Sequence, residues 1–435
     1  MKFQHEWRLQ VPWGQLALVS RGHPDGEPVL LVHGRQDSSS VFTPILNMMT
    51  DQYYYVALDM PGNGLSDAFP KGPKLTRFHF LYAMELVVAH LGWDKFIFIG
   101  HSMGCEQGLF YNAIYPDRIT KMILLDAGPT LMRMQIEDPA EFQRIYYDSY
   151  YDNYHRENFE RKLYTKNTAT EALKRLRDLN DPQCAFLLKR NFHKIDDRIW
   201  NQIEEWHSSE TVTRKQEQPR LQDQASSSND ARNPLEARPE TQSPVLESEA
   251  VSDGRKGEMK NPGPPLTTSQ LVEQYMRQYQ LRFSGDLGTL NGENPERIRI
   301  TYEVPKASTC PDGAPALDLS EIIRHMREND AVGYLSWDNR LKNLAPQNYG
   351  IDYYYELFKT IPPSLFVVAS DGVKSAPNNP IWRDRAMELI DRLSKLENFN
   401  RVDVEGSHDV HFTHPERVAP YVIKFLQENK IVSKL

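Results

Sequence analysis

The chain has 435 residues, of which 40% are hydrophobic and 25% charged, and its 51 Lys+Arg against 59 Asp+Glu give a formal net charge of −8. A chain of this length can bury a sizeable core, and its acidic balance argues against wrapping nucleic acid or docking on an anionic membrane. No apolar stretch reaches the ~18 residues of a spanning helix, no signal-peptide segment opens the chain, and three scattered cysteines suit a reducing compartment. We therefore expect a soluble intracellular globular protein.

Short, continuously apolar segments near both ends of the chain are typical of strands buried on both faces of a parallel sheet. The predicted strands are Pro28–Val32, Tyr54–Leu58, Phe96–Ile99, Met122–Leu125, Leu365–Val368 and Arg401–Val404. Helical patterns lie between them, at Phe80–Leu91, Met103–Ala113 and Ile381–Leu396. Alternating strands and helices favour an α/β fold with a mostly parallel central sheet flanked by helices.

The middle of the chain interrupts this alternation. We assign residues 1–130 and 346–435 to the α/β core and residues 131–345 to a helical cap insertion. Within the insertion, residues 208–265 are rich in Gln, Ser, Glu, Arg, Pro and Asn, and the surrounding stretch lacks aromatic residues. Such a composition buries too little apolar surface to offset its chain entropy, so we predict that 208–265 is a disordered loop.

A serine between two glycines follows the strand Phe96–Ile99, in the segment Gly100-His101-Ser102-Met103-Gly104. G-x-S-x-G between a strand and a helix is typical of a nucleophilic serine on a tight turn, because larger side chains at the glycine positions would clash with neighbouring backbone. The N-terminus of the following helix points at negative charge that develops beside the serine. We therefore predict that Ser102 is a nucleophile.

Together with two earlier segments, this motif resembles the α/β-hydrolase family. Val29–Gly34 is similar to the family's strand ending in His-Gly, and Asp59–Ser66 is similar to its D-x-x-G-x-G-x-S turn. The resemblance extends over roughly residues 27–130 and 360–430 and implies an α/β-hydrolase fold. It also implies an oxyanion hole formed by the backbone N–H groups of Arg35 and Met103.

A nucleophilic serine needs a base, and the base needs an orienting acid. In this family the acid and then the histidine follow the serine along the chain. The resemblance implies that Asp371, after the strand Leu365–Val368, is the acid and that His408 is the base, since His408 lies in a G-x-H segment after the last strand.

Both assignments have an alternative. Asp126 ends the strand Met122–Leu125, and some relatives place their acid there. His411 is near His408 but lacks a glycine two residues before it. His101 and Cys105, which flank the serine, are expected to pack around the site instead of acting as base or nucleophile.

Arg35 departs from the apolar or aromatic residue that many relatives carry after His-Gly. One interpretation is that Arg35 contributes only its backbone N–H to the site. The other is that the guanidinium pairs with an anionic group of the substrate, such as a carboxylate or a phosphate.

The last three residues, Ser433-Lys434-Leu435, match a peroxisomal address that an import receptor reads. With the elbow and the cap, this ending resembles the serine hydrolase-like proteins, a peroxisomal group among the α/β-hydrolases. We expect the peroxisome as the location, with the cytoplasm as a second one, and the import receptor as a partner.

The expected function is that of a serine hydrolase that cleaves an ester or thioester of a small molecule through an acyl-enzyme. No metal or organic cofactor is expected, because the histidines show no H-E-x-x-H spacing. Carbon–carbon bond hydrolysis by the same triad and a non-catalytic binding protein on this fold are the alternatives.

Overall fold

The computed structural model describes residues 4–134, 136, 138–195, 197, 199–204, 270, 273, 277, 281–284, 299–301, 319–328, 332–347, 349–372 and 379–428. The segment 208–265, for which we predict disorder, and the three residues Ser433–Leu435 lie outside the described residues. Across the described ranges, no helix is long and apolar enough to cross a membrane.

The strands are, in chain order, β1 (His5–Val11), β2 (Gly14–Gly22), β3 (Glu27–Val32), β4 (Tyr53–Leu58), β5 (Phe96–His101), β6 (Ile119–Leu125), β7 (Glu160–Thr165), β8 (Phe192–Lys194), β9 (Arg282–Ser284), β10 (Arg299–Thr301), β11 (Val332–Leu335), β12 (Ser364–Ala369) and β13 (Phe399–Val404). The α-helices are α1 (Thr43–Leu46), α2 (Phe78–Leu91), α3 (Met103–Ile114), α4 (Gly128–Arg133), α5 (Pro139–Gln143), α6 (Ser149–Asp152), α7 (Tyr154–Phe159), α8 (Lys166–Leu176), α9 (Asp181–Asn191), α10 (Leu319–Glu328), α11 (Ile351–Phe358), α12 (Pro380–Leu393), α13 (Val410–Thr413) and α14 (Ala419–Glu428).

The central sheet has eight strands in the order β1-β2-β4-β3-β5-β6-β12-β13. β1 and β2 pair antiparallel, as do β2 and β4, and every other neighbouring pair is parallel. The six strands predicted from apolar runs are all present, and the predicted mostly parallel sheet is confirmed. The prediction did not include β1, an edge strand whose mixed polar sequence is largely exposed to solvent, or β2, whose residues from Leu16 to Arg21 are buried.

Helices cover both faces of the central sheet, which explains its apolar strands. Successive side chains of a strand point to opposite faces. In β3, Leu30 and Val32 pack on the face covered by α2 and α3. Val29 and Leu31 pack on the other face, which α14 covers. All four side chains are fully buried, so β3 lies in the centre of the core.

The insertion between β6 and β12 contains helices and also a second, five-stranded sheet in the order β10-β9-β7-β11-β8. All of its strand pairs are antiparallel. The sequence prediction of a helical cap was therefore incomplete. These strands are short and their residues largely polar, as in the segment Glu160–Thr165, so they carry no continuous apolar signal.

Candidate active site

The candidate site lies at the carboxyl ends of the parallel strands, where the loops after β3, β5, β6 and β13 converge. Ligands of open α/β sheets bind at this edge because the strand ends direct their following residues toward one crevice. A cavity of about 150 Å³ occupies the crevice, and Gly34, Ser102, Met103 and His408 line it.

Ser102 lies on a sharp turn between β5 and α3. Its backbone has φ 52° and ψ −118°, a conformation that costs energy for a residue with a side chain. A Cβ atom at Gly100 would lie 2.7 Å from the Cys105 backbone nitrogen, and one at Gly104 would overlap the Val32 carbonyl oxygen. The two glycines therefore permit the turn that presents the serine hydroxyl above the sheet.

His408 connects the serine to a carboxylate. Its Nε2 lies 2.8 Å from the Ser102 Oγ, and its Nδ1 lies 2.6 Å from the Asp126 Oδ2. A carboxylate only accepts hydrogen bonds, so Nδ1 carries the proton and Nε2 is left to accept from the serine hydroxyl. This tautomer is the one that a general base needs.

The carboxylate on the imidazole belongs to Asp126 and not to Asp371. Asp126 is 3% exposed, and its second oxygen accepts a hydrogen bond from the Ala369 amide at 3.1 Å. Asp371 lies half-buried in the turn after β12, where its amide donates to the Gly406 carbonyl oxygen at 2.9 Å. The sequence analysis preferred Asp371 as the acid, and the structure corrects this assignment to Asp126. Asp126 follows β6, the direct neighbour of β5, whereas Asp371 follows β12, which lies one strand further away.

Gly372 explains why an Asp-Gly pair follows β12. A Cβ atom at Gly372 would overlap the carboxylate of Asp126. The pair therefore contributes to the site through its glycine, which leaves room for the acid of the neighbouring strand.

The environment of His408 favours its protonated form. Burial alone lowers the pKa of His408, but the hydrogen bond and the negative charge of Asp126 outweigh burial, and the pKa lies above the ordinary value of 6.5. A base with a raised pKa is better able to hold the proton that it takes from the serine.

The backbone around the expected oxyanion hole leaves two amide groups available. Met103 is the first residue of α3, so its amide has no acceptor within the helix. The Arg35 amide makes no hydrogen bond to any other residue that the structure describes. Gly34 lets this loop approach the nucleophile, since a Cβ atom there would lie 3.0 Å from the Ser102 Cβ.

Two more histidines pack beside His408. The His101 ring lies 4.8 Å from the His408 ring and 4.1 Å from the His411 ring, measured between centroids. His101 Nε2 donates to the His408 carbonyl oxygen at 3.1 Å. Burial lowers the pKa of His411 to about 3 and holds that of His101 well below its usual range, so both rings stay neutral. They support the histidine loop, as expected for His101.

A buried ion cluster lies behind the histidines, and the sequence analysis did not predict it. Arg177, which follows α8, contacts the Asp409 carboxylate at 2.6 and 2.8 Å and the Asp37 carboxylate at 3.0 Å. Asp37, His101 and Asp409 lie close enough together to share a metal ion, but the Arg177 guanidinium already contacts both carboxylates. No local sequence pattern predicts this cluster, because its members are far apart in the chain.

Asp59 has a structural role in the turn Asp59–Ser66. It is fully buried and accepts hydrogen bonds from the backbone amides of Ser39 and Leu65 at 2.8 Å each. Arg190 of the insertion adds an ion pair at 2.7 Å. Asp59 therefore holds the loops beside the site.

Comparisons with known proteins agree with this architecture. Residues 27–228 match the family model described as the alpha/beta hydrolase fold. A human serine hydrolase-like protein is 37% identical over 140 residues, which cover 32% of this chain and 69% of that protein. The chain belongs to the α/β-hydrolase family. A zebrafish (Danio rerio) serine hydrolase-like protein is 33% identical over 202 residues, which are 44% of this chain and 59% of the relative, so the chain spans less than two thirds of that relative's length.

Solved structures show the same fold. The thioesterase domain from the curacin biosynthetic pathway superposes with a TM-score of 0.53 at 15% identity, covering 96% of this chain and 98% of that domain. A hypothetical protein from Pseudomonas aeruginosa PAO1 superposes with a TM-score of 0.51 at 16% identity, covering 97% of this chain and 98% of that protein. The peroxisomal address stays a prediction, since residues 433–435 lie outside the described part of the chain.

Proposed function

We propose that the protein is a serine hydrolase that cleaves an ester or thioester bond of a small molecule through an acyl-enzyme. The observation that carries this proposal is the continuous hydrogen-bonded chain from Ser102 through His408 to Asp126, with distances of 2.8 and 2.6 Å. Its members come from three separate loops, and the serine is held in a strained conformation that presents its hydroxyl to the cavity.

Acylation begins when the Ser102 oxygen attacks the substrate carbonyl carbon and its proton moves to the His408 Nε2. The Asp126 carboxylate stabilises the imidazolium that forms and keeps its orientation. The amides of Arg35 and Met103 stabilise the negative carbonyl oxygen, and each such donor contributes about 10²–10³ in rate in related chemistry. His408 then passes the proton to the departing alcohol or thiol.

Deacylation repeats these steps with water as the nucleophile. His408 takes a proton from the water, the hydroxide attacks the acyl-Ser102 carbonyl, and the same amides stabilise the oxyanion. The proton returns to the Ser102 oxygen, and a carboxylic acid leaves. The protein groups named are sufficient for both steps.

Labelling with an active-site-directed fluorophosphonate tests the proposal. The wild-type protein is expected to be labelled at Ser102, and Ser102→Ala is expected to lose the label because it lacks the attacking oxygen. Ser394→Ala, at the C-terminal end of α12, is the matched control and should be labelled like wild type. A folded wild-type protein that takes no label and hydrolyses none of a panel of esters and thioesters would be a binding protein.

A further inference from the structure

Positively charged side chains surround the cavity beside Ser102. Four arginines line it: Arg35, Arg77, Arg133 and Arg177. Two of them have carboxylate partners. Arg177 contacts Asp37 and Asp409, and Arg77 pairs with the buried Glu106.

Arg35 and Arg133 differ from the other two in the groups that surround them. Arg35 Nη1 donates to the Lys342 carbonyl oxygen at 2.7 Å, and the Tyr146 side chain is an electrostatic neighbour of Arg133. Among the residues that the structure describes, no carboxylate lies within ion-pairing distance of either guanidinium. The described part of the chain therefore places two guanidinium groups at the cavity without a carboxylate partner.

The two guanidinium groups are close enough to repel each other. Burial, followed by the charges of Arg133 and Arg77, lowers the pKa of Arg35 to about 9. Burial and the charge of Arg77 also lower the pKa of Arg133. A guanidinium is a strong base, so an anion that enters the cavity would be attracted by both side chains and would relieve their mutual repulsion.

Arg35 and Arg133 place their positive charges close to the proposed nucleophile, Ser102. Arg35 follows Gly34 in the loop after β3, which carries one of the expected oxyanion donors, and Arg133 ends the helix α4 that begins just after Asp126. Both side chains line the cavity that Ser102 also lines. An arginine fork matches the two oxygens of a carboxylate and forms strong charge-assisted hydrogen bonds with it.

We infer that the substrate is a short ester or thioester that carries a carboxylate, which Arg35 and Arg133 bind while Ser102 attacks the scissile carbonyl. This inference rests on the proposed function and names its substrate class. A cavity of about 150 Å³ suits a short carboxylated chain.

Matched substrate pairs test the inference. The adipoyl and hexanoyl thioesters of one thiol have equal chain lengths and differ in a terminal carboxylate or methyl group. A second pair, the acetyl thioesters of mercaptopropionate and propanethiol, places the carboxylate on the leaving group. In one of the two pairs, kcat/KM of the wild-type enzyme should favour the charged member about 10- to 100-fold, as expected for charge-assisted hydrogen bonds.

Variants assign this preference to the two arginines. Arg133→Gln and Arg35→Gln should each reduce the ratio of charged to neutral kcat/KM by about tenfold or more, and Arg133→Lys should retain part of it. Arg383→Gln, at an exposed arginine of α12 outside the cavity, should keep the wild-type ratio. Circular dichroism checks folding, and if Arg133→Gln does not fold, Arg35→Gln decides.

The outcomes separate this inference from the proposed function. Equal rates for the charged and neutral members of both pairs, or an unchanged ratio in the folded arginine variants, would overturn the carboxylate site while fluorophosphonate labelling of Ser102 still supports a hydrolase. If labelling and turnover are both absent, calorimetric titration of adipate decides. Binding that weakens in Arg133→Gln supports the anion site, and binding that is absent or unchanged in the variant overturns it.

Discussion

Asp126 and Asp371 follow neighbouring strands of the sheet, Asp126 directly after its apolar strand and Asp371 one residue later, after Ser370. What distinguishes them is their tertiary setting. Asp126 has a positive φ of 51°, its amide donates to the Val367 carbonyl oxygen at 2.8 Å, and its carboxylate accepts from the Ala369 amide. The backbone of β12 therefore holds Asp126 in place beneath the imidazole of His408.

Substitution of the two aspartates should separate their roles. Asp126→Asn is expected to lower kcat by about 10³–10⁴-fold, because an amide in this position stabilises the wrong histidine tautomer and no longer balances the imidazolium. Asp371→Asn, the matched control one strand away, should have a far smaller effect. Steady-state hydrolysis of an activated ester measures both, and a loss in Asp371→Asn as large as that in Asp126→Asn would contradict the assignment.

The pH dependence follows from the raised pKa of His408. The base form of His408 is the neutral imidazole, so kcat/KM should rise with pH through the pKa of this residue. Because Asp126 stabilises the imidazolium, the midpoint should lie above the ordinary value of 6.5. Asp126→Asn should move the midpoint of the residual activity to lower pH, whereas Asp371→Asn should leave it in place. A wild-type midpoint below the ordinary value would show that burial outweighs the carboxylate.

At the scale of elements, the tight turns depend on local sequence, whereas the docking of the insertion on the core depends on contacts between residues that are far apart in the chain. Gly100 is required where β5 passes the first turn of α3, and Gly104 where α3 packs against the end of β3, since a side chain at either position would collide with backbone. The insertion is held by long-range contacts instead, which include apolar packing of Leu173 and Leu187 on the core and buried ion pairs. Arg177, after α8, reaches the buried Asp37 and Asp409, and the latter directly follows the catalytic candidate His408.

Removal of the Arg177 charge should destabilise the protein. Arg177→Met leaves two buried carboxylates without their counter-ion, and loss of one member of a buried ion cluster costs about 3–5 kcal/mol. Urea denaturation measures the free energy of unfolding. The matched control is Arg401→Met, which removes an arginine paired with the exposed Asp391 and Asp403 and should cost less than about 1 kcal/mol. Equal losses in the two variants would show that the cluster does not hold the insertion on the core.

At the scale of the whole molecule, the site requires residues from both ends of the chain and from the insertion. Ser102 and Asp126 come from the first part of the core, His408 comes from its end, and the insertion supplies Arg177 and Trp337 to the lining of the cavity. The parallel sheet makes this possible because its strands end at one edge, whatever their order along the chain.

The sequence by itself determined six of the eight strands of the central sheet, the strand–turn–helix around Ser102 and the position of His408 in the last loop. These features depend on local patterns: apolar runs, glycines at a tight turn and a histidine after a strand. Only the tertiary structure decided which aspartate faces the histidine, that the insertion contains a sheet, and that Arg35 and Arg133 line one cavity. The physical reason is that hydrogen bonds and charges act through space, so residues that are far apart in the chain become partners only when the sheet brings their loops together.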